Sequence, residues 1–261
     1  MNIEDISTQL MYTTAPVYAF FPDNKLSTGT GFIFSVQQNE QVSIPLLITN
    51  YHVVQDAISG FVELHVSKDG IPSNEVVRAQ FDNRVITEGK LGNLDLVALP
   101  IAGAINDMQN KGKQVFFKSI DVSLIPKDDA VMNLAAIESI TFIGYPNSIY
   151  DSENKIPVIR QGITATPIWN SFMGKEEFLI DAGVFQGSSG SPVFIYNQGS
   201  YPAKDGIILG NRVLFVGVLS RTLQRKDDMA FLDLGIVINS SAFLRELNNY
   251  IFRMTGQAIN R

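Results

Sequence analysis

One histidine, one aspartate and one serine stand out as polar residues in otherwise apolar strand contexts. His52 follows Leu46–Thr49 in LLITNYHVV, Asp95 heads the apolar run of GNLDLVALPI, and Ser189 lies in the turn GVFQGSSGSPVF at 183–194. An unpaired carboxylate is costly beside an apolar strand, so Asp95 is expected to have a partner. Glycines around a serine permit unusual backbone angles and the close approach of another chain. A hydroxyl nucleophile, a base and an acid that orients the base form the acyl-transfer constellation of serine, histidine and aspartate.

The composition narrows what else the chain can do. Its 261 residues are 45% hydrophobic and 18% charged, with a net charge of −6, no cysteine and two histidines. That apolar content excludes disorder as the organising principle, and the acidic balance argues against nucleic acid as a partner. Without cysteine there are no disulfides, thiolate nucleophiles or cysteine-held metals, and only His52 and His65 remain as imidazole ligands, so neither metal nor cofactor is expected. The start, MNIEDISTQLMYTT, lacks a basic segment followed by an apolar one, and no apolar run reaches the ~18 residues of a spanning helix. The expectation is a cytoplasmic protein that binds no membrane.

The elements that must position the three residues read as short strands punctuated by Gly, Pro, Asn and Asp, the pattern of an all-β sandwich or barrel. Strands are predicted at Pro16–Phe20, Gly31–Val36, Ile44–Thr49, Phe61–Val66, Leu94–Pro100, Ser139–Ile143, Glu177–Ile180, Pro192–Ile195, Val213–Leu219 and Leu234–Ile238. Residues 2–11 form a weak amphipathic start. A stronger helix begins at Ser240-Ser241, with Phe243, Leu244, Leu247 and Ile251 at helical spacing and Gly256 past its end. A polar stretch at about 105–134 reads as a connection between a β-rich half at about 15–110 and another at about 135–239. His65 alternates onto the face of Glu63, opposite Val62, Leu64 and Val66, and is predicted to face solvent. Arg160, before Gln161-Gly162, reads as a strand end, and Arg221 and Arg225 as surface charges.

With these motifs in hand, the sequence resembles the trypsin-like, chymotrypsin-fold serine peptidases, in the style of the cysteine-free bacterial HtrA-like branch. Thr49-Asn50-Tyr51-His52-Val53-Val54 resembles the family's histidine motif, Asp95-Leu96-Val97-Ala98-Leu99 its aspartate motif, and Gly187-Ser188-Ser189-Gly190-Ser191-Pro192 its nucleophile loop. Gly29-Thr30-Gly31-Phe32-Ile33 resembles an early glycine-containing strand and Gly217-Val218-Leu219-Ser220 the strand beside the substrate pocket. His, Asp, Ser is the chymotrypsin-type order. The separations, 43 and 94 residues, compare with about 45 and about 93 in that template. The G-x-S-x-G elbow of α/β-hydrolases is absent at Ser188, Ser189 and Ser191.

The resemblance implies one peptidase domain over 1–261: two packed six-stranded antiparallel β-barrels and a C-terminal α-helix at about 241–255. It implies hydrolysis of a polypeptide by Ser189, with His52 as base, Asp95 as its orienting acid and the Gly187 and Ser189 amides as the oxyanion hole. It places Ser220 beside the acid, Gly183 at the floor of the primary pocket, and Val184 with Ser220, Arg221 and Thr222 along its walls. The resulting pocket is expected to be mostly apolar, with Arg221 as an alternative route to an acidic preference. Ser188 stands where many animal members hold the acid that pairs with a newly cut N-terminus, so activation by trimming is not expected. HtrA-like enzymes usually continue into a PDZ domain, and none follows here. A non-catalytic binding or scaffold module and an esterase on the same fold are the alternative readings.

Overall fold

Alternating residues in the first half pack into two separate cores, Phe32, Phe34 and Val36 into one and Ile33 and Leu47 into the other, and so fix the pairing register of their strands. This computed structural model describes residues 2–39, 41–146, 149–203, 206–224 and 231–259. Helix α1 (Ile6–Met11), whose first turn is capped by Asp5 accepting from the Thr8 N–H, precedes β1 (Thr14–Phe20), β2 (Leu26–Gln37) and β3 (Ser43–Thr49). After the one-turn helix α2 (Tyr51–Val54) come β4 (Ser59–Lys68), β5 (Ile71–Asp82), α3 (Asn83–Glu88) and β6 (Val97–Pro100). The polar connection contains α4 (Ala102–Asn110), β7 (Val115–Phe116) and α5 (Asp128–Met132).

The first sheet runs β5-β4-β1-β2-β3-β6, with β7 joining β4. Its two end strands, β5 and β6, do not pair with each other, so it is a seven-stranded sheet where a closed six-stranded barrel was expected. The cause is local. Asp82 caps α3 by accepting from the Val85 N–H, and the chain leaving α3 lies along the free edge of β6. There the Ala98 N–H donates to Gly89 O (2.8 Å) and the Leu91 N–H to Leu96 O (3.0 Å). A Cβ at Gly89 would overlap Ala98 O, so only glycine permits this approach.

The second half is the expected closed barrel, in the order β10-β15-β14-β11-β8-β9. Its strands are β8 (Ser139–Gly144), β9 (Val158–Thr164), β10 (Glu177–Asp181), β11 (Pro192–Asn197), β14 (Arg212–Gln224) and β15 (Phe231–Asn239). A two-stranded hairpin, β12 (Ser200–Ala203) with β13 (Gly206–Leu209), is inserted between β11 and β14. Arg160 lies inside β9, not at its end. Arg225 lies outside the described residues.

The halves are joined by aromatic packing. Phe243 of α6 (Ser240–Thr255) meets Phe34 of β2 at a ring separation of 5.2 Å and Phe215 of β14 at 5.8 Å, all three fully buried. Truncating such a ring in a packed core costs about 3–5 kcal/mol. Among the described residues no helix is long and apolar enough to cross a membrane.

Candidate active site

The three chemistry-bearing residues come from separate places in the chain and meet where the two halves join. His52 sits on α2, directly after β3. Asp95 lies in the turn before β6, the strand that pairs with β3. Asn50, the residue before α2, is fully buried and turns its amide on the other segment: Nδ2 donates to Asp95 O at 2.8 Å, and the Tyr51 N–H donates to the same oxygen at 3.2 Å. His52 and Asp95 are therefore tied together through the backbone as well as through their side chains.

His52 Nδ1 lies 2.7 Å from Asp95 Oδ2, and its Nε2 lies 3.2 Å from Ser189 Oγ. The Asp95 carboxylate also accepts from the His52 N–H (2.9 Å, Oδ1) and from Ser220 Oγ (2.8 Å, Oδ2). Burial alone would push the pKa of this carboxyl up, but the bonds from the His52 ring, its backbone N–H and Ser220 outweigh it and hold Asp95 below the ordinary aspartate value. An ionised carboxylate that accepts the Nδ1 proton fixes the imidazole tautomer and leaves Nε2 free to accept from a hydroxyl. Ser220 is thus beside the acid, as the resemblance implies.

The nucleophile loop is shaped by two turns. The Ser188 N–H donates to Phe185 O at 3.0 Å, closing a turn whose third residue, Gly187, has φ +84°. A positive φ at that place is the mark of a type II turn and favours glycine. Among the described residues, the N–H groups of Gly187 and Ser189 have no hydrogen-bond acceptor, while those of Ser188, Gly190 and Ser191 all do. Beside the loop opens a cleft of about 500 Å³ lined by Leu26, Ser27, Thr28, His52, Val53, Gln186, Gly187 and Ser189.

Thr30, which the sequence offered only as part of an early strand, fastens this loop to the first sheet. Its N–H donates to Ser189 O (2.9 Å) and its hydroxyl to Gly187 O (2.8 Å), while the hydroxyl accepts from the Tyr145 N–H (2.9 Å). Thr49 Oγ1 donates to Thr30 O at 2.7 Å. At Gly190, φ is +88° and a Cβ would overlap Thr30 O, so the loop can seat here only with glycine at that place. The signal available in the sequence was a threonine between glycines, which says nothing about a loop more than 150 residues away.

The pocket residues are less united. Val184 is buried in the barrel interior, where a Cβ at Gly235 would press on both Val184 and Leu219. Arg221 is turned away: its Nη2 reaches Glu177 Oε2 at 3.4 Å, on the outside of the barrel. Thr222 donates to Leu234 O at 3.2 Å, and Gly183 abuts Arg160. Ser188 is 1% exposed, and its hydroxyl has no partner among the described residues.

His65 corrects a sequence expectation. It is only 8% exposed, because the Tyr12 ring lies edge-on against it at 5.2 Å and the chain at Lys155 closes over its Nε2. Its Nδ1 lies 2.8 Å from Ser73 O and its Nε2 3.0 Å from Lys155 O.

Comparison with known proteins agrees with this geometry. Residues 29–201, more than half of the chain, match a family model described as a trypsin-like peptidase domain. No curated protein sequence matches. Among solved structures, the chain is similar to an HtrA-type protease, AlgW with a tripeptide, at 17% identity and TM-score 0.54, over 96% of this chain and 63% of that one. It is similar to Deg5 at 16% identity and TM-score 0.51, over 91% and 88% of the two chains. The MamO protease domain from Magnetospirillum magneticum follows at 12% identity and TM-score 0.50, over 92% and 98%. At such identities the structural likeness is one of fold, and this chain spans less than two thirds of the AlgW chain. The family match over most of both halves makes the chain a member of the trypsin-like peptidase family.

Proposed function

We propose that the chain is a serine endopeptidase working through an acyl-enzyme on Ser189. The observation that carries this reading is the continuous contact Asp95–His52–Ser189, set beside two amide donors that nothing among the described residues uses. Ser189 Oγ attacks the scissile carbonyl carbon as His52 Nε2 takes its proton. Asp95 holds the ring and stabilises the imidazolium. The carbonyl oxygen, now an oxyanion, is met by the Gly187 and Ser189 N–H groups. His52 returns the proton to the leaving amine as the C–N bond breaks, leaving an ester on Ser189. Water then attacks that ester, with His52 again taking and returning a proton, and frees the acid. No step calls on a metal or cofactor.

A bacterial setting, which the resemblance suggests, and a cytoplasmic one, which the sequence leads us to expect, accompany this reading; cell fractionation tests the second. A polypeptide substrate follows from membership of the trypsin-like peptidase family. The reading is tested by labelling with a fluorophosphonate, which reacts with a serine activated by an assembled base and oxyanion hole. Labelling is expected at Ser189 in the native chain and in neither Ser189→Ala nor His52→Ala. A native chain that is not labelled is a binding module on a peptidase fold, and one that cleaves esters but no peptide amide is an esterase.

A further inference from the structure

The residues that were expected to line the primary pocket leave its floor without a side chain, since position 183 is glycine. The structure fills that place from elsewhere. Along β9, Val158, Arg160, Gly162 and Thr164 are more buried than Ile159, Gln161 and Ile163, so the even positions face the barrel interior. Arg160 is therefore an arginine on the inward face of a closed barrel. It pairs across the ladder with Phe142, a core residue whose ring centre lies 5.9 Å from its guanidinium carbon.

The head group reaches the nucleophile loop. A Cβ built on Gly183 would lie 2.5 Å from Arg160 Nη2, so the guanidinium occupies the volume that a side chain at 183 would take. Arg160 Cζ also stands 4.7 Å from the ring centre of Phe185, whose carbonyl closes the turn carrying Gly187. Stacking between two aromatic rings orients the planar head group while leaving its N–H donors unused. Among the described residues no hydrogen bond or ion pair engages the Arg160 guanidinium, whereas that of Arg221 is held by Glu177. An inward, half-buried guanidinium without an anion is a binding group for one.

We propose that Arg160 is the specificity-determining residue of the primary pocket and selects a carboxylate side chain, Glu or Asp, at P1. The inference rests on the serine-peptidase reading, because it takes the residue preceding the cleaved bond to lie over Gly183. In enzymes of this fold that cut after Lys or Arg, the floor residue carries the acid. Here the floor is glycine and a neighbouring strand supplies a cation, so the charge preference is reversed. Arg221, the sequence-level candidate for this role, is excluded from it by its outward pairing.

The test uses peptides blocked as C-terminal amides, so that a terminal carboxylate cannot substitute for a P1 side chain. The native chain is expected to cleave after Glu at least about tenfold better, in kcat/KM, than after Gln. That ratio should fall to near one in Arg160→Ala, persist in part in Arg160→Lys, and give way to a preference for Lys in Arg160→Glu. A parallel measurement of fluorescence anisotropy, with Ser189→Ala binding the same Glu and Gln peptides, reads the pocket without the chemistry. A native chain that is labelled by fluorophosphonate but shows no Glu over Gln preference overturns the role of Arg160 and leaves the peptidase reading standing. Absence of labelling overturns the peptidase reading, and the anisotropy ratio still decides Arg160. An unchanged ratio in Arg160→Ala reduces Arg160 to a support for Phe185.

Discussion

The two histidines of this chain lie in the same half, His52 on the one-turn helix after β3 and His65 in β4, yet their surroundings suit them to opposite work. His52 is about half exposed, with a carboxylate on Nδ1 and a serine hydroxyl on Nε2. A proton can enter at one nitrogen because the other is held by a group that stabilises the resulting charge. His65 is buried, and both its nitrogens face backbone carbonyl oxygens, of Ser73 and Lys155. Carbonyls accept but cannot give or take a proton, and a neutral ring donates to only one of them. What separates a base from a cross-link is therefore the group opposite each nitrogen. His65 ties β4 to the start of β5 and to the segment around Lys155, whereas His52 links an acid to a nucleophile.

Mutations at the two sites should separate these roles. Ser189→Ala or His52→Ala should each lower kcat by about 10⁶, and the double variant should be little worse, since the residues act as one unit. Steady-state kinetics on a peptide substrate checks this, and losses that add would break the assignment. The contrasting variant is His65→Ala. It should lower stability by about 2–4 kcal/mol through lost packing and the carbonyl it leaves unpaired, measured by urea unfolding, with kcat on a peptide retained. A fall in kcat comparable with that of His52→Ala would abolish the comparison.

Smaller effects sharpen it. Ser220→Ala removes one of the bonds on the Asp95 carboxylate, and a bond to a charged group of about 1.5 kcal/mol corresponds to roughly a tenfold loss in kcat. An unchanged rate would mean that the His52 bonds alone hold the acid. The least effect is expected in the acid limb of stability. The folded chain holds the Asp95 carboxyl below its ordinary value, so the unfolded chain binds this proton more tightly. The stability it contributes is complete above the ordinary aspartate value of ~3.9 and is lost as pH falls through the lower folded value. Thermal melts between pH 5 and pH 2 should show a shallower acid decline in Asp95→Asn than in the native chain. Equal slopes would show that Asp95 gains nothing from its bonds on folding.

Much of the strand inventory was legible because alternation and turn residues report local structure. β3, β8, β10 and the terminal helix lie close to their expected places, since each carries its own apolar pattern. β5 was not legible: in Ile71-Pro72-Ser73-Asn74-Glu75 a proline and polar residues follow an exposed isoleucine, and only the later Val77, Ala79 and Phe81 are buried. The extent of β9 was hidden for a related reason, because Arg160 and Gly162 occupy the inward positions where apolar residues would announce a strand. The period-2 rule assigned His65 to the outer face of β4 but could not reveal that another part of the chain covers that face.

What the sequence determined by itself is the set of groups proposed to react. His52, Asp95 and Ser189 are recognisable from side-chain type, order and spacing, because the chemistry of each is carried within a few residues of its own motif. The tertiary structure decided how those groups are held and what they can select. Thr30 seats the nucleophile loop through bonds to Gly187 and Ser189, Ser220 reaches Asp95 from the other half, and Arg160 takes the volume left open at Gly183. Each of these is a contact between segments far apart in the chain. Residue type limits what a side chain can do, but long-range packing chooses its partner, and no local pattern encodes that choice.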